Sequence, residues 1–222
     1  MNIAVIAPHP DDEILGCGGS LLRHATCGDS LAWIIVTSIF EKYGFSRERV
    51  DRRQQEIKEI ARQLGIQQTY QLEFPTMQLH SGNFGELIAA VAEVFGEVQP
   101  ERIYVPNRSD IHSDHRFTFE AVMSCTKSFR RPSVKQILMY ETISETEFAP
   151  ALPEKAFLPN YFIDITDYFT EKRELLSVYK SETGSHPFPR SRENLEALAL
   201  FRGATVGVRY AEAFQLIRLI EK

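Results

Sequence analysis

The feature that most constrains the fold is an alternation. Short, continuously apolar runs rich in β-branched residues trade places with longer amphipathic stretches along most of the chain. Asn2–Ala7 is the first such run and stops at Pro8 and Pro10. Leu31–Thr37, Thr69–Phe74, Arg102–Pro106, Lys135–Tyr140 and Tyr161–Ile165 repeat the pattern. Runs apolar at successive positions, not every second one, are those of strands buried on both faces, which is how parallel sheets covered by helices read. Between them, Asp12–Thr26, Glu48–Leu64 (closed by Gly65), Gly85–Val98 and Asp114–Ser128 carry helical spacing. Past Ile165 the spacing predicts helices near Thr166–Lys180, Arg190–Phe201 and Ala211–Ile220. The expectation is a three-layer α/β/α sandwich on a mostly parallel sheet. No repeat, low-complexity tract or linker interrupts residues 1–222, so they are expected to form one domain.

Composition narrows the function classes. With 222 residues, 43% hydrophobic and 25% charged, a core of useful size can be buried without metal or disulfide staples, so any metal here would serve chemistry. Twenty-five basic against 30 acidic residues leave a net charge of −5, poor electrostatics for tracking nucleic acid. Cys17, Cys27 and Cys125 form no C-x-x-C unit and read as small buried hydrophobes in a reducing compartment. Met1 leads directly into Ile3–Ala7 with no basic segment, a run far too short for a signal peptide or a membrane span. A cytoplasmic protein with no membrane or nucleic-acid partner is expected.

Chemistry concentrates in two loops at strand ends. Pro8-His9-Pro10-Asp11-Asp12-Glu13 follows the first strand, and Asp110-Ile111-His112-Ser113-Asp114-His115-Arg116 follows the fourth. In a parallel sheet both emerge on the same edge, where ligands bind. The chain has six histidines, and three of them are here. Two histidines and one carboxylate make an open metal site whose remaining position holds a water of lowered pKa. His9, Asp12 and one of His112 or His115 satisfy it; Asp11 and the remaining histidine are then placed as base and oxyanion donor. His24, His80 and His186 each stand alone and read as structural or solvated. Gly16, Gly18 and Gly19 do not make a dinucleotide fingerprint, because Leu21 occupies the third glycine position. The charged stretch Arg47–Glu59 reads as a solvated helix face from which a single arginine could reach the site.

These residues resemble the PIG-L/LmbE family of zinc-dependent N-deacetylases. The resemblance rests on the P-H-P-D-D-E loop, on Arg53-x-x-Glu56 followed by Ala61 and Leu64-Gly65, on D-x-H-x-D-H-R at Asp110–Arg116, and on Arg202-Gly203…Gly207…Tyr210-Ala211-Glu212-Ala213-Phe214. It implies a Rossmann-like fold, with His9, Asp12 and His115 as zinc ligands. Asp11 is implied as general base, His112 as the protonated stabiliser or acid oriented by Asp114, and Arg53 as a sugar contact. The implied reaction is hydrolysis of a linear amide C–N bond: removal of the N-acetyl group from a small N-acetylglucosamine-like sugar or conjugate, with Zn2+ replaceable by Fe2+, Co2+ or Mn2+. A homo-oligomer is compatible with this reading. Two departures bear on substrate: Phe74-Pro75-Thr76 stands where many members carry Phe-Pro-Asp, and Ser181-Glu182 where Ser-Gln is common. With no hydrophobic stretch ahead of the first motif, a soluble sugar is expected over a lipid-linked one. Competing readings are a zinc amidase for a non-sugar amide or thiol conjugate, a mononuclear Fe(II) enzyme sharing the two-His-one-carboxylate set, and a non-catalytic sugar binder.

Overall fold

The structure is a computed structural model and describes residues 1–221. Among them, seven strands form one sheet in the order β3-β2-β1-β4-β5-β7-β6. The strands are β1 (Asn2–Ala7), β2 (Ser30–Ser38), β3 (Gln68–Pro75), β4 (Arg102–Pro106), β5 (Gln136–Tyr140), β6 (Tyr161–Asp164) and β7 (Ala211–Leu219). The first five pair in parallel; β7 runs antiparallel to both of its neighbours. The helices are α1 (Asp12–Thr26), α2 (Arg47–Gln63), α3 (Phe84–Val98), α4 (Ser113–Ser124), α5 (Phe169–Leu176) and α6 (Arg192–Val206).

Successive residues of a strand face opposite sides, and both sides of β1 are buried: Ile3, Val5 and Ala7 join one core, Ala4 and Ile6 the other. The first core is closed by α1, α2, α5 and α6, through residues such as Ile14, Ile57, Phe169 and Leu195. The second is closed by α3 and α4, through Leu87, Val91, Phe95, Ala121 and Val122. That is the expected three-layer sandwich. Among the described residues no helix is long and apolar enough to cross a membrane.

Two expectations are corrected. Ala211–Ile220, expected as a helix, is strand β7. Its Ala, Glu and Leu residues favour helix, but β5 would otherwise be a bare sheet edge, and Phe214, fully buried, pairs with Tyr140 there. Filling that slot outweighs a propensity of a few tenths of a kcal/mol per residue. Cys27 is exposed, whereas Cys17 and Cys125 are buried as expected; Cys27 follows the last turn of α1 and so lies beyond the core. The glycine at Gly16 serves packing: a Cβ there would lie 2.2 Å from the Tyr140 ring.

Candidate active site

β1 and β4 are hydrogen-bonded neighbours, yet the chain leaves β1 toward β2 and β4 toward β5. The crevice at such a reversal, beyond the strands' carboxyl ends, is where open α/β sheets bind ligands. Both histidine loops end there.

The loop after β1 is pinned on each side. The Pro8 carbonyl accepts from the Thr37 N–H (3.0 Å) and hydroxyl (2.8 Å) at the end of β2. Asp11 adopts φ 134°, ψ −27°, which costs a residue with a side chain on the order of 1–3 kcal/mol. Glu13 offsets this: its carboxylate accepts the Asp11 N–H at 3.0 Å and the Tyr179 hydroxyl at 2.7 Å. Burial pushes the Glu13 carboxyl up to about 8. Asp12, the first residue of α1, accepts the His9 N–H through Oδ2 at 2.8 Å. The second loop caps α4: the His112 imidazole accepts the Asp114 N–H at 3.1 Å through Nδ1.

These constraints bring three ligand atoms together. His9 Nδ1 and His115 Nε2 each lie 3.3 Å from Asp12 Oδ2, and the ligand atoms of the three residues fall within 4.8 Å of one another. The opposite ring nitrogens are held by carboxylates, His115 Nδ1 by Asp110 at 2.8 Å and His9 Nε2 by Asp114 at 3.1 Å. With the outer nitrogens keeping their protons, it is the inner ones that can give up theirs and offer lone pairs to an ion beside Asp12. His115 Nε2 is fully buried with no hydrogen-bond partner, a costly arrangement for a polar atom unless a cation meets it. Two imidazoles oriented by outer carboxylates plus one inner carboxylate fit a zinc-type ion. His9, His112 and Asp114 also come within 4.8 Å, but there His9 Nε2 and Asp114 Oδ2 are bonded to each other, Asp114 Oδ2 also accepts the Met77 N–H at 2.7 Å, and His112 Nδ1 is already an acceptor.

The electrostatics separate the histidines. Burial disfavours charge on His9, but hydrogen bonds to Asp114 and Asp12 overcome it and raise the imidazole to about 9. His115 is likewise raised against its burial by Asp12 and Asp110. His112 has the opposite balance: burial, reinforced by the neighbouring His9, pushes it down to about 4. Because Nδ1 accepts the Asp114 N–H, the free donor of this ring is Nε2. Asp114 orients His112 through its backbone N–H, while its carboxylate turns to His9 and Met77. Burial and the adjacent Asp12 push Asp11 up to about 7.

Beside this centre lies a cavity of about 310 Å³ lined by His9, Asp11 and His112. Its charged wall comes from distant segments. Arg190, in the loop between α5 and α6, donates to Asp11 Oδ2 at 2.6 Å and to Ser144 Oγ at 2.7 Å, and faces Glu182 and Glu145 at 3.4 and 3.5 Å. Arg53, on α2, donates to the Pro10 carbonyl at 2.6 Å, pairs with Glu56 at 3.1 Å and bonds Glu182. Arg53 thus reaches the cavity as expected, with most of its donors engaged by protein. Sequence reasoning missed Arg190, Glu145 and the Glu13–Tyr179 brace. Arg190 is 179 residues from Asp11 with no local pattern to mark it. Asp110 had a signal: it stands five residues before His115 in the second loop, where a carboxylate can reach Nδ1 across the first turn of α4.

Comparison with known proteins places this geometry in context. The family model described as PIG-L, GlcNAc-PI de-N-acetylase, matches residues 4–126, more than half of the chain. The chain is 29% identical over 186 residues to an uncharacterized deacetylase, YaiS, of Escherichia coli, covering 81% of this chain and 91% of that one. It is 26% identical to the diacetylchitobiose deacetylase of Thermococcus kodakarensis, covering 97% and 83%. Among solved structures, the conserved protein TT1542 of Thermus thermophilus superposes with a TM-score of 0.79 at 24% identity, covering 100% and 97%, and shares the fold.

Proposed function

The chain belongs to the PIG-L family, and from that membership and the site geometry we propose that it is a metal-dependent hydrolase removing the acetyl group from an N-acetylated amino sugar or sugar conjugate, releasing acetate and the free amine. The observation that carries the reading is the convergence of His9 Nδ1, Asp12 Oδ2 and the buried, partnerless His115 Nε2 beside a cavity that also receives Asp11 and His112. Those three residues would hold the ion, zinc by donor chemistry, which when bound supplies a water acidic enough to attack and a positive charge beside the amide carbonyl.

The remaining residues divide the proton work. Asp11, oriented by Arg190 at 2.6 Å, accepts the proton of the attacking water and later delivers it to the departing amine nitrogen. His112 holds a proton at Nε2 and donates it as a hydrogen bond to the oxygen on which negative charge develops, a stabilisation that needs no net charge on the ring. Asp114 and Asp110 keep the imidazoles in their tautomers. Arg53 braces Glu182 against the cavity, and the pair forms the wall that meets sugar hydroxyls.

The test is an acetate-release screen over N-acetyl hexosamines and N-acyl amino acids, run together with metal analysis. The expected result is release from hexosamine substrates that stops on chelation and returns with zinc. Asp11→Asn should lose about 10²- to 10⁴-fold in kcat with its metal content unchanged. Hydrolysis of N-acyl amino acids alone would replace the sugar reading with an amidase one. Activity surviving complete chelation would remove the metal from it.

A further inference from the structure

A single peptide plane sets the direction of the proposed base. The bond joining Pro10 to Asp11 is held at both polar ends: Arg53 Nη1 donates to the Pro10 carbonyl at 2.6 Å, and the Asp11 N–H donates to Glu13 Oε2 at 3.0 Å. The φ of Asp11 is a rotation against this plane, and at 134° it lies where a residue with a side chain seldom goes. Neither clamp stands alone. The Tyr179 hydroxyl donates to the other Glu13 oxygen at 2.7 Å, and the Arg53 guanidinium lies 5.4 Å from the centroid of the Tyr179 ring. Tyr179, just past α5 and 166 residues from Glu13, thus touches both clamps. Its carbonyl also accepts the Glu182 N–H at 3.0 Å, and Glu182 bonds Arg53 and faces Arg190, which donates to Asp11 Oδ2. The turn from Tyr179 to Glu182 reaches Asp11 twice, through its backbone and through its carboxylate. Tyr179 itself is fully buried and forms no part of the cavity wall, so its hydroxyl has no substrate to touch.

We propose that Tyr179 is a positioning residue for the hydrolysis: its hydroxyl holds Glu13 on the Asp11 N–H, its ring backs Arg53 on the Pro10 carbonyl, and together they keep the Asp11 carboxylate aimed at the reacting water. This rests on the reading of Asp11 as the base. Without the hydroxyl, Glu13 Oε1 is left buried with no donor among the described residues, a costly state for a carboxylate oxygen. Glu13 then turns from the Asp11 N–H, and the Asp11 backbone relaxes toward ordinary φ. The carboxylate leaves its place while the metal ligands keep theirs, since Asp12 and His9 are joined by their own bond at 2.8 Å.

The experiment starts from Tyr179→Phe, which removes the hydroxyl and keeps the ring. At unchanged zinc content, kcat on an N-acetyl hexosamine should fall about 10- to 100-fold, as when a reacting group is misplaced from a distance, with KM within about two-fold of wild type. Tyr104→Phe is the matched control: that hydroxyl is equally buried and bonds His24 at 2.8 Å at the other end of α1. It should lower the thermal midpoint by a similar amount and leave kcat alone. In an Asp11→Asn background Tyr179→Phe should cost no further activity, because the base it positions is gone. Additive losses overturn the proposal, as does an unchanged kcat in the single variant or a fall in kcat that tracks lost zinc. Glu13→Gln, which turns an amide NH2 toward one of the two donors, should reproduce the loss and carries the same test should Tyr179→Phe not fold. A crystal structure of either variant gives a readout free of activity: the Asp11 carboxylate should have moved off Arg190. An unmoved Asp11 overturns the proposal whatever the rates. A displaced Asp11 in a protein whose wild type releases acetate from no substrate supports the hold of Tyr179 on Asp11 and refutes the deacetylase reading.

Discussion

Asp110 lies outside the proposed metal ligands, yet the geometry makes it decisive for them. Its carboxyl group is fully buried. One oxygen takes the His115 Nδ1 proton at 2.8 Å, and the other accepts from Asn107 Nδ2 at 2.8 Å and Thr146 Oγ1 at 2.7 Å. Asp110→Asn keeps the shape, and its remaining carbonyl oxygen can still serve Asn107 and Thr146. The amide NH2 then faces His115 Nδ1, donor against donor, and the ring relieves the conflict by moving its proton to Nε2. That is the atom meant for the metal. The loss is a hydrogen bond to a charged acceptor, about 1.5–3 kcal/mol, or roughly 10- to 150-fold in metal affinity at 1.4 kcal/mol per decade. The range agrees with the roughly 10- to 100-fold seen when such outer carboxylates are removed. The assay is zinc competition against a chromophoric chelator on metal-stripped protein, with urea unfolding of the same samples as a control for global damage. Zinc affinity within two-fold of wild type, in a variant whose metal-free stability is also unchanged, would falsify the tautomer argument.

Other outcomes follow from packing. Glu212 accepts the Gly19 and Ser20 N–H groups, the Ser20 hydroxyl and Lys172 Nζ, all between 2.6 and 2.8 Å, bridging α1 just past its non-helical residue Cys17. Glu212→Ala should cost about 3–5 kcal/mol by leaving buried Lys172 without its counter-charge. Lys172→Met should cost less, since Glu212 keeps three donors, and the double variant should recover part of the loss; strict additivity in denaturant titrations would contradict the coupling. At Gly203 a Cβ would stand 2.6 Å from the carbonyl oxygens of Val208 and Arg209. Gly203→Ala should therefore cost about 1–3 kcal/mol, read as a drop in Tm at roughly 2–4 °C per kcal/mol for a chain of this length; an unchanged Tm would show that the turn after α6 yields freely.

The alternation of apolar runs located the inner strands β1, β2, β4 and β5 because strands buried on both faces read as continuous apolar runs, and it located the half-buried edge strands β3 and β6 from their β-branched and aromatic residues. It failed at Ala211–Leu219, where local preference says helix and only the open edge of β5 says strand. The site divides in the same way. His9, Asp11, Asp12, His112, Asp114 and His115 are legible because each loop packs its chemistry into a few residues directly after a strand. Which histidine turns Nε2 toward Asp12 was not legible from spacing, since His112 and His115 lie within one turn of each other. The choice falls out of three-dimensional contacts: Asp110 holds His115, while the Asp114 N–H occupies His112 Nδ1. The downward shift of His112 has the same origin, because burial beside His9 and His115 cannot be read along the chain.

The sequence by itself determined the sandwich, the two loops and the kind of chemistry they hold, since each depends on residues within a few positions of one another. Tertiary structure alone decided what lies around that chemistry: Arg190 on Asp11, Glu182 against Arg53 and the Glu13–Tyr179 brace. These join segments up to 179 residues apart. Charge pairing, backbone strain and burial are set by which surfaces meet across the sheet's edge, and no periodicity in the chain records that meeting.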